Sequence, residues 1–318
     1  MHPLFENLIG IALVLFNIIF AVPSAIVFTI ISELRRLIFY GRLIKNIDGK
    51  AVLIDNCEND FGQRLARQLV KQGFTVFAGF RTQTAADNWK NNIQFDAKNV
   101  IPVVIDAKNK IELEQSANFV KHTLNGQKVL HALICTQTQF IANEDSKLSF
   151  EDYRRSLEDN FYCQIWIVQA FMTLLKLGKG RLILTNHMTG HVPMAGCNPI
   201  GPSMAGFANY SRVLRMELMF SEVQVILVVP PAANNGADFH NLDKKQDQLY
   251  SKLASVTSLG VDEATIADAY VTAVCSSYPR HVYWVGWVTK LVGMASALPT
   301  AAADLWRLIV GKSLSYFC

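Results

Sequence analysis

Ala51-Val52-Leu53-Ile54-Asp55-Asn56-Cys57-Glu58-Asn59-Asp60-Phe61-Gly62 decides how this chain is read. Four apolar residues in a row form a strand buried on both faces, and a polar turn follows at once. Beyond it, Gly62–Gln72 reads as a helix with Leu65, Leu69 and Val70 on one side. The unit then repeats. Phe74–Ala78, Val100–Ile105, Val129–Cys135, Arg181–Leu184 and Val223–Val229 read as strands, and Ile111–Leu124, Tyr153–Leu177 and Ser203–Phe220 as helices. Strands alternating with helices imply right-handed crossovers and a doubly wound parallel sheet, an α/β domain. Ligands of such sheets lie beyond the carboxyl ends of the strands, so the residues just after each strand are the ones to read for function.

The chain has 318 residues, half of them apolar, enough for one large α/β domain with extensions. Its formal charge is only +4, and the basic residues are scattered, which argues against a nucleic-acid partner. The six cysteines show no short paired spacing and read as free thiols, neither a disulfide set nor a metal site. From Asn7 to Ser32 no residue is charged, a run long enough to span a bilayer. Arg35, Arg36, Arg42 and Lys45 follow it, which puts the domain on the cytoplasmic side of the membrane. Pro23 allows a kink, and a cleaved signal peptide ending near Pro23-Ser24-Ala25 is the competing reading. The expected organisation is therefore an anchor with a basic juxtamembrane stretch (1–47), an α/β domain (48–280) and an apolar C-terminal segment (281–318), with a polar flexible stretch at Asn234–Gln248.

The run Ala51–Gln68 resembles the start of short-chain dehydrogenases, especially the branch holding retinol dehydrogenases and type 2 11β-hydroxysteroid dehydrogenase. The helix Ser203–Leu218, with Gly206, Leu214, Arg215 and Glu217, fits the same family, as do Tyr283, Gly286, Trp287, Lys290 and Leu298-Pro299-Thr300 near the end. The resemblance implies a Rossmann-like fold, NAD or NADP as cofactor, an apolar substrate (sterol, steroid or retinoid), an endoplasmic-reticulum membrane location, and a homodimer through the helices at Tyr153–Leu177 and Ser203–Phe220.

The resemblance also shows what is missing. The family's Thr-Gly-x-x-x-Gly-x-Gly falls on Asp55, Asn56, Asp60 and Gly62, so only the last glycine remains for cofactor binding. Asp55, Glu58 and Asp60 put carboxylates where phosphates would sit, at about 1 kcal/mol or more each. Alternatively, Asp55 or Asn56 caps the helix. Arg81 falls where the family meets the adenosine ribose, and Asp106 where it holds the adenine; a solvated Arg and an ordinary turn Asp are the other readings. Cys135-Thr136-Gln137-Thr138 replaces Asn-Asn-Ala-Gly with bulkier residues.

Asn160 matches the Asn that holds a proton-relay water, or is a buried structural Asn. The catalytic Ser falls on His187, or on Asn186 with a one-residue slip; His187 is a candidate proton or hydrogen-bond donor, or a structural histidine. The Tyr and Lys of Tyr-x-x-x-Lys fall on Ile200 (or Pro199) and Met204, with Ser203 just before the latter. Neither side chain can donate a proton or carry a charge. The expectation is a membrane-anchored member that has lost standard hydride transfer and binds a lipid or a partner. The alternative is a noncanonical oxidoreductase working on a steroid, as in ecdysteroid synthesis, or on a retinoid, through His187 or Asn160.

Overall fold

The computed structural model describes residues 41–92, 99–136, 138–143, 145–194, 196–231 and 260–296, with residue 258 and single positions between 16 and 38. The expected flexible stretch 234–248, the terminal segment from 297 on and most of the expected anchor lie outside them.

In chain order the elements are β1 (Lys50–Ile54), α1 (Asp60–Lys71), β2 (Thr75–Phe80), α2 (Gln83–Asn92), β3 (Val100–Val104), α3 (Lys110–Leu124), β4 (Val129–Cys135), β5 (Ala142–Asn143), α4 (Phe150–Leu157), α5 (Cys163–Leu177), β6 (Arg181–Thr185), β7 (Asn198–Pro199), α6 (Ile200–Glu217), β8 (Gln224–Val229), α7 (Glu263–Cys275), β9 (Val282–Trp284) and α8 (Trp287–Ala295). Seven strands form one sheet in the order β3-β2-β1-β4-β6-β8-β9. Every pairing in it is parallel. The expected Rossmann-like α/β sheet is therefore the fold observed. The order reverses between β1 and β4, which makes the crevice above these two strands the place for a ligand.

Each element follows from its residues. β2 and β6 are buried along their whole length, as continuous apolar runs between helical layers must be. α1 buries Phe61, Gly62, Leu65, Ala66 and Leu69, while Val70 lies half-buried at the edge of that face. α3 starts at Asn109, whose side chain accepts from the amides of Ile111 and Glu112, and stops where Asn125 turns left-handed at φ 46°. The helix expected at Tyr153–Leu177 begins earlier, at Phe150, because Ser149 and Asp152 make a capping box. It is interrupted at Glu158–Tyr162 by a π-turn, a form that favours functional positions. β9 and α2 have no counterpart in the sequence reading. β9 is three half-buried residues, and α2 has only Ala86 and Trp89 as buried apolar side chains, too little periodicity to be read.

Two buried side chains finish the C-terminus of α7. Arg181 donates through Nη1 to the carbonyls of Ala273 (2.8 Å) and Val274, and His131 Nε2 donates to Val274 at 3.1 Å. Cationic and N–H groups at a helix C-terminus complement its dipole and its orphan carbonyls. Cys57, Cys135, Cys163, Cys197 and Cys275 are free and buried, as expected.

The chain divides into two compact units, one of Lys45–Cys275 with His281–Cys318 and one of Met1–Ile44 with Ser276–Arg280. Within the latter, Leu43 bridges antiparallel to Ser276, and Ser277 donates its amide to Arg42 O and its hydroxyl to Leu43 O, both at 2.8 Å. Among the described residues no helix is long and apolar enough to cross a membrane.

Candidate functional site

Several donors of the turn from β1 into α1 are taken by polar groups of the chain itself. Asn59 is the helix cap, its Oδ1 accepting from Gly62 N at 2.8 Å. Glu58 Oε1 accepts from the amide of Arg81, at the end of β2, at 2.6 Å. Asn56 Oδ1 accepts from Glu58 N. The expectation that Asp55 stands in the phosphate place or caps the helix is corrected. Its buried carboxylate spans from β1 to β4, accepting from the amide (2.7 Å) and hydroxyl (2.8 Å) of Thr136. The physical reason is that Thr136 N ends a central strand and needs an acceptor there.

Two glycines let this turn close. A Cβ on Gly62 would lie 2.1 Å from Asn56 O, and one on Gly79 would lie 2.3 Å from Asp55 O. Neither Asn56 nor Asp60 has a positive φ, so the glycines missing from these positions cost the backbone nothing.

The other nucleotide-side candidates, Arg81 and Asp106, follow the adjacent paired strands β2 and β3, and the Arg81 amide is bonded to the β1–α1 turn. The Arg81 side chain is exposed, and Asp106 Oδ1 accepts from the Lys108 amide as an ordinary turn residue does. Lys108 Nζ pairs with the buried Asp159 at 2.8 Å, tying this turn to the π-turn, and that hydrogen bond holds the lysine pKa above its usual value.

Asn160 lies within the π-turn and is fully buried. Its Oδ1 accepts from Gln139 N at 2.7 Å and its Nδ2 donates to Gln139 O at 2.8 Å. A third bond runs from Nδ2 to Ser156 Oγ at 3.3 Å, and Ser156 meets Ser203 Oγ at 3.2 Å. Ser203 donates onward to Ile200 O. The side chain thus works as a clamp on the loop after β4, with both amide donors committed.

At the end of β6, His187 and Asn186 are both buried. Asn186 Nδ2 donates to Met204 O at 2.9 Å, turning this side chain behind α6. His187 Nδ1 accepts from the Thr189 amide (3.3 Å) and lies 2.7 Å from its hydroxyl, while its ring meets Phe140 edge-on at 5.4 Å. His187 Nε2, Asn186 Oδ1, Thr138 Oγ1 and His191 Nε2 are buried without a hydrogen-bond partner. Burial, then the neighbouring His191, push the His187 pKa down to about 4; burial and Arg212 do the same for His191, whose ring meets Trp284 at 4.8 Å. Both rings are neutral at physiological pH.

Ile200 and Met204, the residues expected at the acid–base positions, are 0% and 1% exposed. They belong to one apolar cluster with Phe140, Met188, Val192 and Phe207. Tyr210 packs against this cluster, its ring meeting Phe161 and Phe207, and burial pushes its pKa up to about 12.

Sequence reading missed Tyr270. From α7 its buried hydroxyl donates to Thr185 Oγ1 (2.6 Å), which donates to Cys135 O (2.6 Å), closing β4 to β6. No motif marks it, because α7 comes after the 234–248 stretch and its approach to β6 is purely tertiary.

The donor set does not fit a dinucleotide. The amide of Gly62 is taken by Asn59, that of Arg81 by Glu58, and the exposed carboxylates of Glu58 and Asp60 repel phosphate. At the other end, Ile200 and Met204 offer no hydroxyl or ammonium group.

A family model for short chain dehydrogenase matches residues 50–246. Retinol dehydrogenase 7 of Mus musculus is 23% identical over 286 residues, covering 83% of this chain and 89% of that protein. 17-beta-hydroxysteroid dehydrogenase type 6 of Bos taurus is 23% identical over 287 residues, with the same coverage of 83% and 89%. Among solved structures, a short chain dehydrogenase from Burkholderia cenocepacia in complex with NADP superposes with a TM-score of 0.64 at 18% identity, covering 83% of this chain and 99% of that one. A short-chain dehydrogenase from Streptomyces avermitilis gives 0.65 at 16% identity, with coverage of 83% and 99%.

Proposed function

From the premise that this chain belongs to the short chain dehydrogenase family, we propose that it is a member disabled for standard hydride transfer that binds an apolar molecule of the steroid or retinoid class at a membrane. The observation that carries this reading is the burial of Ile200 and Met204 in the apolar cluster, where a proton donor and its tuning cation would have to stand. Loss of a positioned acid alone removes about a hundredfold to ten-thousandfold in rate. The turn at Asp55–Gly62 adds to it, since NAD or NADP would have to displace Asn59 and Glu58 from two of its amides. Similarity to retinol dehydrogenase 7 and to 17-beta-hydroxysteroid dehydrogenases favours a steroid or retinoid ligand.

The uncharged run Asn7–Ser32 followed by arginines supports an anchor in the endoplasmic-reticulum membrane with the domain facing the cytoplasm. The apolar side chains described within it, among them Phe16, Ile19, Phe20, Val27 and Ile30, are exposed, as contact with lipid requires. Exposed Tyr162, Trp166, Val213 and Met216 on the helices at α5 and α6 favour a homodimer.

The second reading, a noncanonical oxidoreductase, rests on the unpartnered Nε2 of His187. Calorimetric titration of the detergent-solubilised full chain with NAD(H) and NADP(H) separates the two. The expected result is no binding at millimolar nucleotide, together with binding of a steroid or retinoid. Micromolar nucleotide binding with turnover of a steroid or retinal would establish the oxidoreductase instead.

A further inference from the structure

The amino ends of the strands carry an apolar patch that the binding reading does not use. Val129 N, which opens β4, donates to Gly49 O at 2.8 Å, and Gln224 N, which opens β8, donates to Gly180 O at 3.0 Å. The turn before β6 packs on the start of β4, since a Cβ on Gly178 would lie 2.5 Å from Leu130 O. Lys179 Nζ pairs with Glu222 Oε2 at 2.6 Å, joining the turn before β6 to the turn before β8. Leu177 stands at the first of these turns and Met219 and Phe220 at the second, 72%, 66% and 88% exposed. Phe220 is the most exposed large apolar side chain among the described residues. Exposed apolar residues scattered singly need no explanation, but several on two linked turns mark a contact surface.

Resting on the membrane reading above, we propose that this amino-terminal edge of the sheet docks on the surface of an anionic lipid bilayer, with Leu177, Met219 and Phe220 entering the headgroup boundary. Two observations select lipid as the occupant. The uncharged run Asn7–Ser32 precedes the domain in sequence, and the chain enters the sheet at Lys50, the amino end of β1, so the tether arrives at this same edge. The last turns of α1, α3 and α5 also end here, because these helices run against the strands, and they carry the exposed Lys71, Lys121 and Lys176. Against them stand the carboxylates of Asp48, Glu217 and Glu222, the last of them taken by Lys179. Each lysine complements the dipole of its own helix. Three of them on one edge beside apolar side chains also suit an anionic surface, where ammonium groups stay at the headgroups and apolar groups pass below them. Docked in this way, the crevice above β1 and β4 opens away from the bilayer.

Photo-crosslinking tests this with the full chain reconstituted in vesicles of phosphatidylcholine and phosphatidylserine that include a phospholipid with a photoreactive group near its headgroup. Mass spectrometry of the peptides maps the adducts. The expected result is adducts on 176–180 and 216–222 beside those on 1–47, and none on the turn Asp55–Gly62. The double variant Met219→Ser/Phe220→Ser should lower the yield on 176–180 by about tenfold and leave that on 1–47 unchanged. Pure phosphatidylcholine vesicles should lower the same yield by about fivefold. Thermal unfolding reports whether the variant is folded. Adducts confined to 1–47, or a yield on 176–180 that neither change alters, would overturn the docking and leave the membrane reading intact. Adducts on Asp55–Gly62 in place of 176–180 would overturn it too, by putting the opposite edge on the lipid. If the edge takes no adduct and the double variant dissociates a dimer in detergent, the patch is a subunit interface and the proposal falls. A chain that takes no adduct anywhere and does not float with the vesicles would overturn both readings.

Discussion

The β1–α1 turn and the junction of β6 with α6 both stand at carboxyl ends of central strands, and they treat their polar groups in opposite ways. In the turn, the chain's own amide and carboxylate oxygens take the N–H groups: Asn59 on Gly62, Glu58 on Arg81 and Asp55 on Thr136. At the junction, polar groups give way to Ile200 and Met204, and His187 and Thr138 are left with unpaired buried atoms. In the first region the chain itself supplies acceptors for these three amides. The second is stable only at the expense of orphaned donors, each costing about 1–3 kcal/mol. This contrast between the two strand ends supports the proposed reading of a binding protein.

The sharpest way to break this comparison is to put the missing cation back. Met204→Lys places an ammonium at a position 1% exposed within an apolar cluster. We expect a loss of about 4 kcal/mol, the scale of an uncompensated buried charge, read as a lowered midpoint in urea unfolding. On the proposed reading, in which the turn admits no nucleotide, the double variant Ile200→Tyr/Met204→Lys should oxidise no steroid or retinol with NAD. Wild-type stability for Met204→Lys would mean that water reaches the junction and that the two regions differ less than described.

The turn has its own test. Gly62→Ala would bring a methyl group to 2.1 Å from Asn56 O and 2.9 Å from the Cys57 Cα, both backbone atoms. With nothing flexible to move aside, about 3 kcal/mol of stability should be lost. Urea unfolding checks this, and a loss below about 1 kcal/mol would show a turn loose enough to reopen for a phosphate.

These two regions were not equally legible. Apolar runs and turn residues are local signals, so β1, α1, β4 and β6 and the parallel order of the sheet could be read from sequence. The family resemblance, not a local signal, puts the acid–base positions at Ile200 (or Pro199) and Met204. What failed was assignment among neighbours within a short polar run. Asp55, Asn56 and Asn59 are all competent caps, and only the backbone path selects Asn59 and sends Asp55 across to Thr136. Asn59 lies three residues before Gly62, the spacing of a cap, and that signal was available. Asn160 was found by its match, but its use as a clamp on Gln139 depends on the π-turn, which no periodicity announces. The Tyr270–Thr185 contact and the unpaired state of His187 Nε2 are tertiary facts with no trace in the sequence.

The smallest effect bears on the β6–α6 junction directly. A histidine whose folded pKa is held down at about 4 stays neutral in the folded chain while its unfolded form takes up a proton below about 6.5. The unfolded state then binds more protons, so stability is fully present above pH 6.5 and falls as the pH drops towards 4. His131, bonded to Val274 O and also held near 4, contributes in the same direction. Between pH 7 and pH 5 each such buried ring should cost about 1–2 kcal/mol. Replacing His187 by Leu removes its share, so the urea midpoint of that variant should fall less steeply from pH 7 to pH 5 than that of the wild type. Equal slopes would mean that the His187 ring already meets water or accepts a proton in the folded state. The orphaned donor, and with it the contrast between the two strand ends, would then disappear.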